Sequence, residues 1–419
     1  MKDKFTPKLR FSGFTEPWEQ RKLNEIAVKV TEKNNSLVYD ETLTNSAELG
    51  IINQREFFDK DISNKDNING YYIVQNEDFV YNPRISVTAP VGPVNRNKLG
   101  RTGIMSPLYT VFRPHDINNK YLEWFFKSTH WHSYMHFNGD TGARADRFSI
   151  KDAVFFEMPI PVPTMEEQEK IGEFFEKVDN TITLHQRKYD DLKEMKKGML
   201  QKMFPKEGKN VPEVRFPGFT DAWEQRKLED ISANYKYSIV DGPFGSDLKT
   251  ADYTEAGVLV MQSNYITGGK FEIKQPYFVS TDKAEQLSRC HCKGGDILIA
   301  KIGANFGICN LIPENIEDAV LSSNCMKVDL DEKHDNNFYM QYFNTLYESG
   351  FYYSLVGITA QPALSLKFMK SLEVPSPSIE EQQKIASFLE NLDNLITLHQ
   401  RKCDEFKNMK QALLQQMFV

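Results

Sequence analysis

The sequence lacks the features that would assign it to a membrane, secreted or disulfide-rich protein. No stretch approaches the roughly 18 consecutive apolar residues of a transmembrane helix. The start, Met1-Lys2-Asp3-Lys4-Phe5, leads into charged residues without the apolar core of a signal peptide. Cysteine is scarce, and the five residues at 290, 292, 309, 325 and 403 are an odd number that lies almost entirely in one half of the chain. We therefore expect reduced thiols in a soluble, cytoplasmic protein.

Motifs for catalysis and metal binding are also missing. Gly268-Gly269-Lys270 has neither the upstream spacing nor the following hydroxyl of a phosphate-binding loop. Asn82-Pro83-Arg84 lacks the second proline and the aromatic residue of an amino-methyltransferase motif, and Cys290-His291-Cys292 has no companion pair at zinc-ligand spacing. The histidines at 130, 132 and 136 have aromatic neighbours, which favour packing or DNA contact. The sequence thus predicts no catalytic residue and no bound metal.

Charge excludes a uniformly basic nucleic-acid coat, because 51 Lys and Arg against 58 Asp and Glu give a net charge of -7. A local basic face stays compatible with that total. The 40% hydrophobic and 12% aromatic content excludes wholesale disorder. At roughly 100 to 200 residues per domain, a chain of 419 residues predicts two to four domains.

An internal repeat organises the chain. Residues 7–23 return as residues 212–228 with twelve of seventeen positions identical, including Arg-Phe-x-Gly-Phe and Trp-Glu-Gln-Arg-Lys-Leu. Farther on, Glu166-Glu-Gln-Glu-Lys-Ile171 returns as Glu380-Glu-Gln-Gln-Lys-Ile385, and Ile182-Thr-Leu-His-Gln-Arg-Lys188 returns as Ile396-Thr-Leu-His-Gln-Arg-Lys402. The interiors between these matching ends share little that aligns. Two copies of about 200 residues predict two domains with alike frames and unlike contents.

The repeated segments from 166 and from 380 predict two long helices, with Thr164 and Ser378 as N-caps. Apolar residues at alternating steps of four and three predict a coiled-coil seam. The seam consists of Ile171, Phe175, Val178, Ile182, His185, Tyr189 and Leu192 in the first helix and Ile385, Leu389, Leu392, Ile396, His399, Cys403 and Phe406 in the second.

Charge along the helices predicts how they pair. Residues 166–179 hold six acidic and two basic residues and 187–202 hold six basic and three acidic, and the second helix repeats this polarity. An antiparallel pair is therefore complementary, and we expect one within the chain, relating the domains by an approximate twofold axis. The alternative is two amphipathic helices that each cover their own domain.

The interiors supply candidate DNA-binding residues. Residues 79–151 contain ten basic and four acidic residues, a net charge of +6, with aromatic residues interleaved, which is typical of a groove-reading surface. The candidates there are Tyr81, Arg84, Arg96, Lys98, Arg101, Arg144 and Arg147. The second interior is nearly neutral and offers the amides and ammonium groups of Lys249, Gln262, Asn264, Lys301, Asn305, Asn324 and Gln361.

The whole pattern resembles the DNA specificity subunit of type I restriction-modification systems. The resemblance is carried by the repeated frame, the lead-ins Ile160-Pro-Val-Pro163 and Val374-Pro-Ser-Pro377, the Glu-Glu-Gln-x-Lys-Ile helix starts and the Asp241-Gly-Pro-Phe-Gly-Ser246 loop. It implies an α+β fold in which two mixed target-recognition domains are joined by two long helices paired as an antiparallel coiled coil, in a pseudo-twofold tandem repeat. The expected boundaries are 1–165 and 206–378 for the recognition domains, and 166–205 and 379–419 for the helices.

The same resemblance implies a non-catalytic subunit that binds double-stranded DNA, each domain reading half of a bipartite site. Its partners would be modification subunits, two of them expected, that methylate adenine with S-adenosylmethionine, and restriction subunits that use ATP and Mg²⁺. The helix pair would set the gap between half-sites and dock the modification subunits. Two other classes stay open: a coiled-coil scaffold that binds only protein, and an enzyme that acts on DNA by itself.

Overall fold

The computed structural model describes residues 5–57, 65–141, 146–206, 208–267, 270–356 and 362–419. The chain divides into two compact units, and neither is a continuous stretch of sequence. Unit 1 consists of residues 1–187 with 400–419, and unit 2 of residues 188–399. Each unit therefore contains the beginning of one long helix and the end of the other. Among the described residues, no helix is long and apolar enough to cross a membrane.

The helices of unit 1 are α1 (Gln54–Phe57), α2 (Asn119–Lys127), α3 (His132–Asn138), α4 (Asp152–Phe155) and the first part of α5 (Met165–Met203). Its strands are β1 (Glu19–Lys22), β2 (Ala27–Lys29), β3 (Leu43–Ser46), β4 (Gly50–Asn53), β5 (Tyr72–Val74), β6 (Phe79–Tyr81), β7 (Val94–Arg96), β8 (Gly103–Met105), β9 (Thr110–Pro114) and β10 (Pro159–Val162). The end of α10 (Ile379–Met417) completes the unit.

The helices of unit 2 are α6 (Thr281–Gln286), α7 (Asn336–Glu348), α8 (Phe351–Val356) and α9 (Leu366–Ser371), with the end of α5 and the start of α10. Its strands are β11 (Glu224–Lys227), β12 (Ile239–Asp241), β13 (Tyr253–Thr254), β14 (Val258–Met261), β15 (Phe278–Val279), β16 (His291–Cys292), β17 (Ile297–Ala300), β18 (Cys309–Leu311), β19 (Ala319–Leu321), β20 (Cys325–Val328) and β21 (Glu373–Ser376). The predicted α+β class is confirmed.

The two interiors contain the same four-stranded antiparallel sheet, although their sequences do not align. Its strand order is β2-β9-β6-β7 in unit 1 and β12-β20-β17-β18 in unit 2. Each unit also has a two-stranded sheet that joins the repeated Glu-Gln-Arg-Lys strand to the lead-in of the long helix, β1 with β10 and β11 with β21. Unit 2 adds a five-stranded sheet, β13-β15-β14-β19-β16. The sheets can agree because side-chain alternation, not residue identity, determines strand pairing.

The long helices pair antiparallel within each unit, as the charge pattern predicts. In unit 1, Lys410 bonds Asp179, the Cys403 Sγ lies 3.4 Å from the Gln186 Oε1, and His185 stacks on Phe406. In unit 2, the Lys196 Nζ lies 2.7 Å from the Asp393 Oδ1. Residue numbers thus rise along one helix as they fall along the other. All fourteen residues of the seam are buried or half-buried.

A buried ion pair fastens the repeated frame to the start of each long helix. In unit 1 the Arg10 Nε and Nη2 donate to the two carboxylate oxygens of Glu167, at 2.7 and 2.8 Å, and the Trp18 indole donates to the same carboxylate at 3.2 Å. In unit 2 Arg215 and Trp223 bind Glu381 in the same way, at 2.7 to 3.0 Å. Each glutamate lies in the first turn of its helix, where the helix dipole also favours an anion. This arrangement is called the frame lock below.

The neighbouring glutamine extends the frame lock to the interior of each unit. The Gln168 side chain accepts from the Asn118 backbone N–H at 2.8 Å and donates to the Pro163 carbonyl at 2.8 Å. The Gln382 side chain repeats both bonds, with Asp335 at 2.8 Å and Pro377 at 2.9 Å. Asn118 and Asp335 are the N-caps of α2 and α7. One glutamine thus positions an interior helix relative to the long helix.

Removing the arginine from a frame lock will destabilise the unit that contains it. Arg215→Met leaves the Glu381 carboxylate, which is 2% exposed, without its charge partner. We expect a loss of about 3 kcal/mol in the free energy of unfolding, measured by urea denaturation of the full chain followed by circular dichroism. The matched control is Arg226→Met, whose partner Glu224 has a 66% exposed side chain, so the loss should stay below about 0.5 kcal/mol. Equal losses in the two variants would contradict the frame lock.

Candidate nucleic-acid interface

Several loops of unit 1 leave the same end of its four-stranded sheet. Tyr81 at the end of β6 pairs with Val94 at the start of β7 and with Thr110 at the start of β9, so loops 82–93 and 106–109 are neighbours. The β3–β4 hairpin joins them, because the Asn45 side chain donates to the Val80 carbonyl at 2.7 Å. Residues 146–149 join through a bond of 2.7 Å from the Phe148 N–H to the Pro83 carbonyl. These four segments are called the first edge.

Unit 2 forms an equivalent end, here called the second edge. Asp241 at the end of β12, Ala300 at the end of β17 and Cys325 at the start of β20 lie together, which brings loops 242–249, 301–308 and 322–324 side by side. Loop 262–267 joins them because Met261 pairs with Leu321. The backbone bridge between Ile302 and Ala363 repeats the bridge between Arg84 and Arg147 of unit 1.

Charged groups hold the second edge together. The Asp241 carboxylate accepts from the Lys301 Nζ at 2.7 Å and from the Arg289 Nη1 at 3.2 Å. Burial alone would raise the pKa of Asp241, but the two cations outweigh it and lower that pKa. Gly242 follows, and a Cβ there would lie 1.8 Å from the Ser322 carbonyl oxygen, so only glycine fits between the two loops. The edge is therefore a preformed surface.

Two of the arginines predicted in unit 1 lie on the first edge. Arg84 is exposed and Arg147 is half-buried, on paired backbone segments. Lys98 and Arg101 are also exposed, but they follow β7, which begins at this edge and runs away from it. At the opposite end of the sheet, the Lys98 Nζ lies 2.7 Å from the Glu123 Oε1, and Arg101 forms two bonds of 2.7 Å with Glu41. Arg144 lies outside the described residues.

Two predictions for unit 1 need correction, because Tyr81 and Arg96 are in the interior. Tyr81 is 2% exposed, donates to the Val91 carbonyl at 2.9 Å and stacks on Phe155. Arg96 is 8% exposed and lies between Glu77 and Glu123, at 2.7 Å from each. Neither side chain is accessible to DNA.

The basic excess of residues 79–151 is largely neutralised by folding. The acidic segment that precedes it in sequence supplies Glu41, Glu77 and Asp78, which pair with Arg101, Arg96 and Arg113 respectively. The sequence separates these charges along the chain, but the antiparallel sheet brings them to the same end. A count of charges along the sequence thus overestimates the basic surface of unit 1.

The candidates of unit 2 collect on the second edge more completely. Asn264, Asn305 and Asn324 are exposed there, while Lys301 and Gln262 are half-buried, and Lys249 is exposed at the end of loop 242–249. The Lys301 N–H donates to the Asn324 carbonyl at 2.7 Å, which joins two of these loops. Gln361 lies outside the described residues. Sequence reasoning missed Arg289, which no motif marks and which only the fold brings to Asp241.

Of the histidines singled out in the sequence, His130 and His132 are half-buried, and His136 is exposed beside Phe148. Burial lowers the pKa of His130 and of His132, and all five cysteines are buried free thiols. Over the described ranges, no group of three or more His, Cys, Asp or Glu residues is placed to hold a metal ion.

Known proteins match both halves of the chain. The family model of the type I restriction modification DNA specificity domain matches residues 15–194 and 221–408. The MjaVIII type I restriction enzyme specificity subunit of Methanocaldococcus jannaschii is 25% identical over 273 residues, which are 63% of this chain and 62% of the relative. The putative MjaX specificity subunit of the same organism is 26% identical over 276 residues, 64% of this chain and 60% of the relative. The matches thus span less than two thirds of the length of these curated relatives.

Solved structures have the same fold over nearly the whole chain. The S subunit of a type I restriction-modification system from M. genitalium superposes with a TM-score of 0.59 at 15% identity and covers 99% of both chains. The HsdS subunit from Thermoanaerobacter tengcongensis gives 0.51 at 15% identity, covering 97% of this chain and 98% of that one. A chain from a structure of type I R-M complex assembly and conformational transition gives 0.53 at 15% identity, with 95% and 96% covered.

The two family matches together cover well over half of the sequence, one in each half. The chain therefore belongs to the family defined by the type I restriction modification DNA specificity domain, as its sequence resemblance predicts.

Proposed function

We propose that this chain is the DNA-recognition subunit of a type I restriction-modification complex and that each unit reads one half of a bipartite site. One observation carries the proposal. The two units have the same frame lock and the same four-stranded sheet, yet the loops at the two edges have different lengths and different side chains. A protein that recognises two different DNA sequences needs two different binding surfaces, and here each surface is supported by the same frame.

The side chains at the edges are of the types that bind DNA grooves. Exposed Arg84 on the first edge can pair with phosphate or with guanine, and exposed Asn264, Asn305 and Asn324 on the second edge can bind adenine or the backbone. At the opposite end of the first sheet, Arg96, Arg101 and Arg113 form carboxylate pairs at 2.7 Å, whereas the Arg84 Nη2 lies 3.6 Å from the Asp146 Oδ2 in an exposed pair. The edges are therefore the surfaces we assign to DNA.

In this proposal the chemistry belongs to partner subunits. Modification subunits would methylate adenine with S-adenosylmethionine, and restriction subunits would use ATP and Mg²⁺. This chain would bring them to a chosen sequence, so none of its residues is assigned a catalytic role.

Two copies of the modification subunit would dock on surfaces that the repeat presents twice. In unit 1, Phe11 packs edge-on against Phe174 at 5.7 Å, and the Lys170 Nζ lies 4.7 Å from the centre of the Phe14 ring. In unit 2, Phe216 and Phe388 pack at 6.0 Å, and Lys384 lies 4.9 Å from Phe219. These half-buried aromatic groups are called the twin patches.

Core packing does not constrain exposed residues. When the same exposed residues occur in both copies of the repeat, a cause other than packing must explain why they are the same. The strands Glu19–Lys22 and Glu224–Lys227, which follow Phe14 and Phe219 along the chain, have the same sequence, Glu-Gln-Arg-Lys, and are mostly exposed. The buried parts of the interiors, in contrast, differ. Binding of one partner in two equivalent places supplies the reason.

Replacement of an arginine on the first edge will weaken DNA binding, whereas replacement of an arginine at the opposite end will not. Arg84→Ala should weaken binding to the target duplex and lower the salt slope by about one unit if Arg84 contacts phosphate, or relax one position of the site if it contacts a base. Fluorescence anisotropy of the chain with its modification subunits, at several salt concentrations, measures both effects. Arg101→Ala is the control, because Arg101 is also half-exposed but lies at the opposite end of the sheet and forms two bonds of 2.7 Å with Glu41. Equal effects of the two substitutions would contradict the first edge.

Polar substitution of one twin patch will remove one modification subunit from the complex. We expect native mass spectrometry to show two modification subunits on the unaltered chain and one on the double variant Phe14→Ser, Phe174→Ser, because the patch of unit 2 stays intact. The control is Phe137→Ser, which removes a phenylalanine that is 89% exposed elsewhere in unit 1. Retention of two subunits by the patch variant would show that the twin patches do not dock them.

Shortening both long helices will shorten the gap between the two half-sites. Each helix has 39 residues. Deletion of 183–189 with 400–406 removes seven residues from each, which preserves the seven-residue seam repeat and the Lys196–Asp393 and Asp179–Lys410 pairs. At 1.5 Å per residue we expect a gap about three base pairs shorter, read by single-molecule sequencing of methyladenine in a host with all three subunits. The matched control inserts seven residues at each position and should lengthen the gap. An unchanged gap in both variants would rule out the helices as the spacer.

A further inference from the structure

Phe244 is a large apolar side chain that the fold leaves in solvent. Its side chain is 70% exposed, on loop 242–249 of the second edge. The surrounding candidates on that edge are polar or cationic, among them exposed Asn264, Asn305 and Asn324. An isolated exposed phenylalanine contributes little to folding. Because Phe244 lies among the second-edge side chains that we assign to DNA, we looked for a role of its ring in DNA binding.

The loop holds the Phe244 ring in a fixed position. The Phe244 carbonyl accepts from the Asp247 N–H at 2.8 Å, which closes a turn, and Leu248, which is 8% exposed, anchors the end of that turn in the interior. At the other end, Asp241 is fixed by Lys301 and Arg289, and Gly242 lies against the Ser322 backbone. A loop anchored at both ends can present the Phe244 side chain without losing much conformational entropy on binding.

A cation supports the ring from the protein side. The Arg289 guanidinium carbon lies 5.8 Å from the centre of the Phe244 ring, and Arg289 is itself held by Asp241. The guanidinium thus lies over one face of the ring, and its charge can also attract phosphates beside a base-pair step. The rest of the ring is exposed and can stack on a base.

We propose that Phe244 is a wedge that inserts between two base pairs of the half-site read by unit 2 and unstacks them. Apolar side chains that enter DNA in this way kink the duplex, and pyrimidine–purine steps yield most easily. The wedge therefore adds specificity for a deformable step without a hydrogen bond to any base. This inference rests on the proposed function, because it requires the second edge to face DNA.

The first edge provides an internal comparison. Its exposed apolar side chains are Val87 in loop 82–93, Leu49 in the β3–β4 hairpin and Leu108 in loop 106–109, none of which has an aromatic ring. The Phe244 wedge therefore predicts a fluorescence rise in the half-site read by unit 2 that depends on Phe244, whereas the signal of the other half-site should not depend on Phe244.

Fluorescence of 2-aminopurine tests the wedge directly. The full chain is assembled with its modification subunits on a duplex whose sequence comes from the methylated sites of a host genome. The probe is placed at successive positions of both half-sites, away from the methylated adenines, because base flipping by the modification subunits would also raise the signal. We expect a several-fold rise at one step of one half-site with the unaltered chain.

Substitutions at Phe244 then separate a wedge from a bystander. Phe244→Ala should abolish the rise and weaken binding about tenfold, the change expected when one base–aromatic stacking contact is lost. Phe244→Leu should keep part of both effects, since leucine also serves as a wedge. Tyr237→Ala, which removes an exposed ring before the start of β12 and thus at the end of that sheet away from the second edge, should change neither. Circular dichroism should be the same for all four proteins.

The outcomes that overturn the wedge differ from those that overturn the proposed function. A full fluorescence rise and unchanged affinity in Phe244→Ala would reject the wedge. Loss of a modification subunit from Phe244→Ala, seen by native mass spectrometry, would assign the ring to protein docking and also reject it. If the unaltered complex binds no DNA and methylates no site, the proposed function itself fails.

Discussion

The architecture depends on a buried ion pair that occurs once in each unit. The carboxylates of Glu167 and Glu381 each accept two bonds from an arginine and one from a tryptophan, in nearly complete exclusion from water. Burying a carboxylate in this way is favourable only when charge and hydrogen-bonding capacity are both satisfied. The arginine and tryptophan of one short segment must therefore meet a glutamate far along the chain, which fixes the N-terminal frame of each copy onto the first turn of its long helix.

The end of each long helix completes the core of the unit that the other helix begins. Leu414, Met417 and Phe418 pack in unit 1 with Trp18 and Phe175, and Leu200, Met203 and Phe204 pack in unit 2 with Trp223 and Leu389. Each core therefore requires one end from each copy of the repeat. The first and second edges lie outside this frame. Their loops can therefore differ in length and chemistry without disturbing the core.

Charge is distributed in the fold differently from its distribution along the chain. The acidic segment before residue 79 and the basic segment after it neutralise each other through Glu41, Glu77 and Asp78. The basic residues left for DNA in the described part of unit 1 are therefore few, and Arg84 is the most exposed of the predicted ones on the first edge. In the proposed interface, unit 2 offers amides and cations organised around Asp241 instead. Neither proposed interface therefore carries a large positive charge, in keeping with the net charge of -7.

The repeat, the two long helices, their caps at Thr164 and Ser378 and their antiparallel pairing can all be predicted from the sequence, because period, charge order and capping are local properties of a chain. The sequence also offered Lys301 and Asn324 as candidates, but their meeting on the second edge is a property of the fold. The tertiary structure is needed to show that Tyr81 and Arg96 are in the interior and that Arg101 lies at the end of the sheet opposite the first edge. It alone joined Arg289 to Asp241. Burial and ion pairing depend on which distant strands become neighbours, and the interior sequences do not encode that in any pattern visible along a single strand.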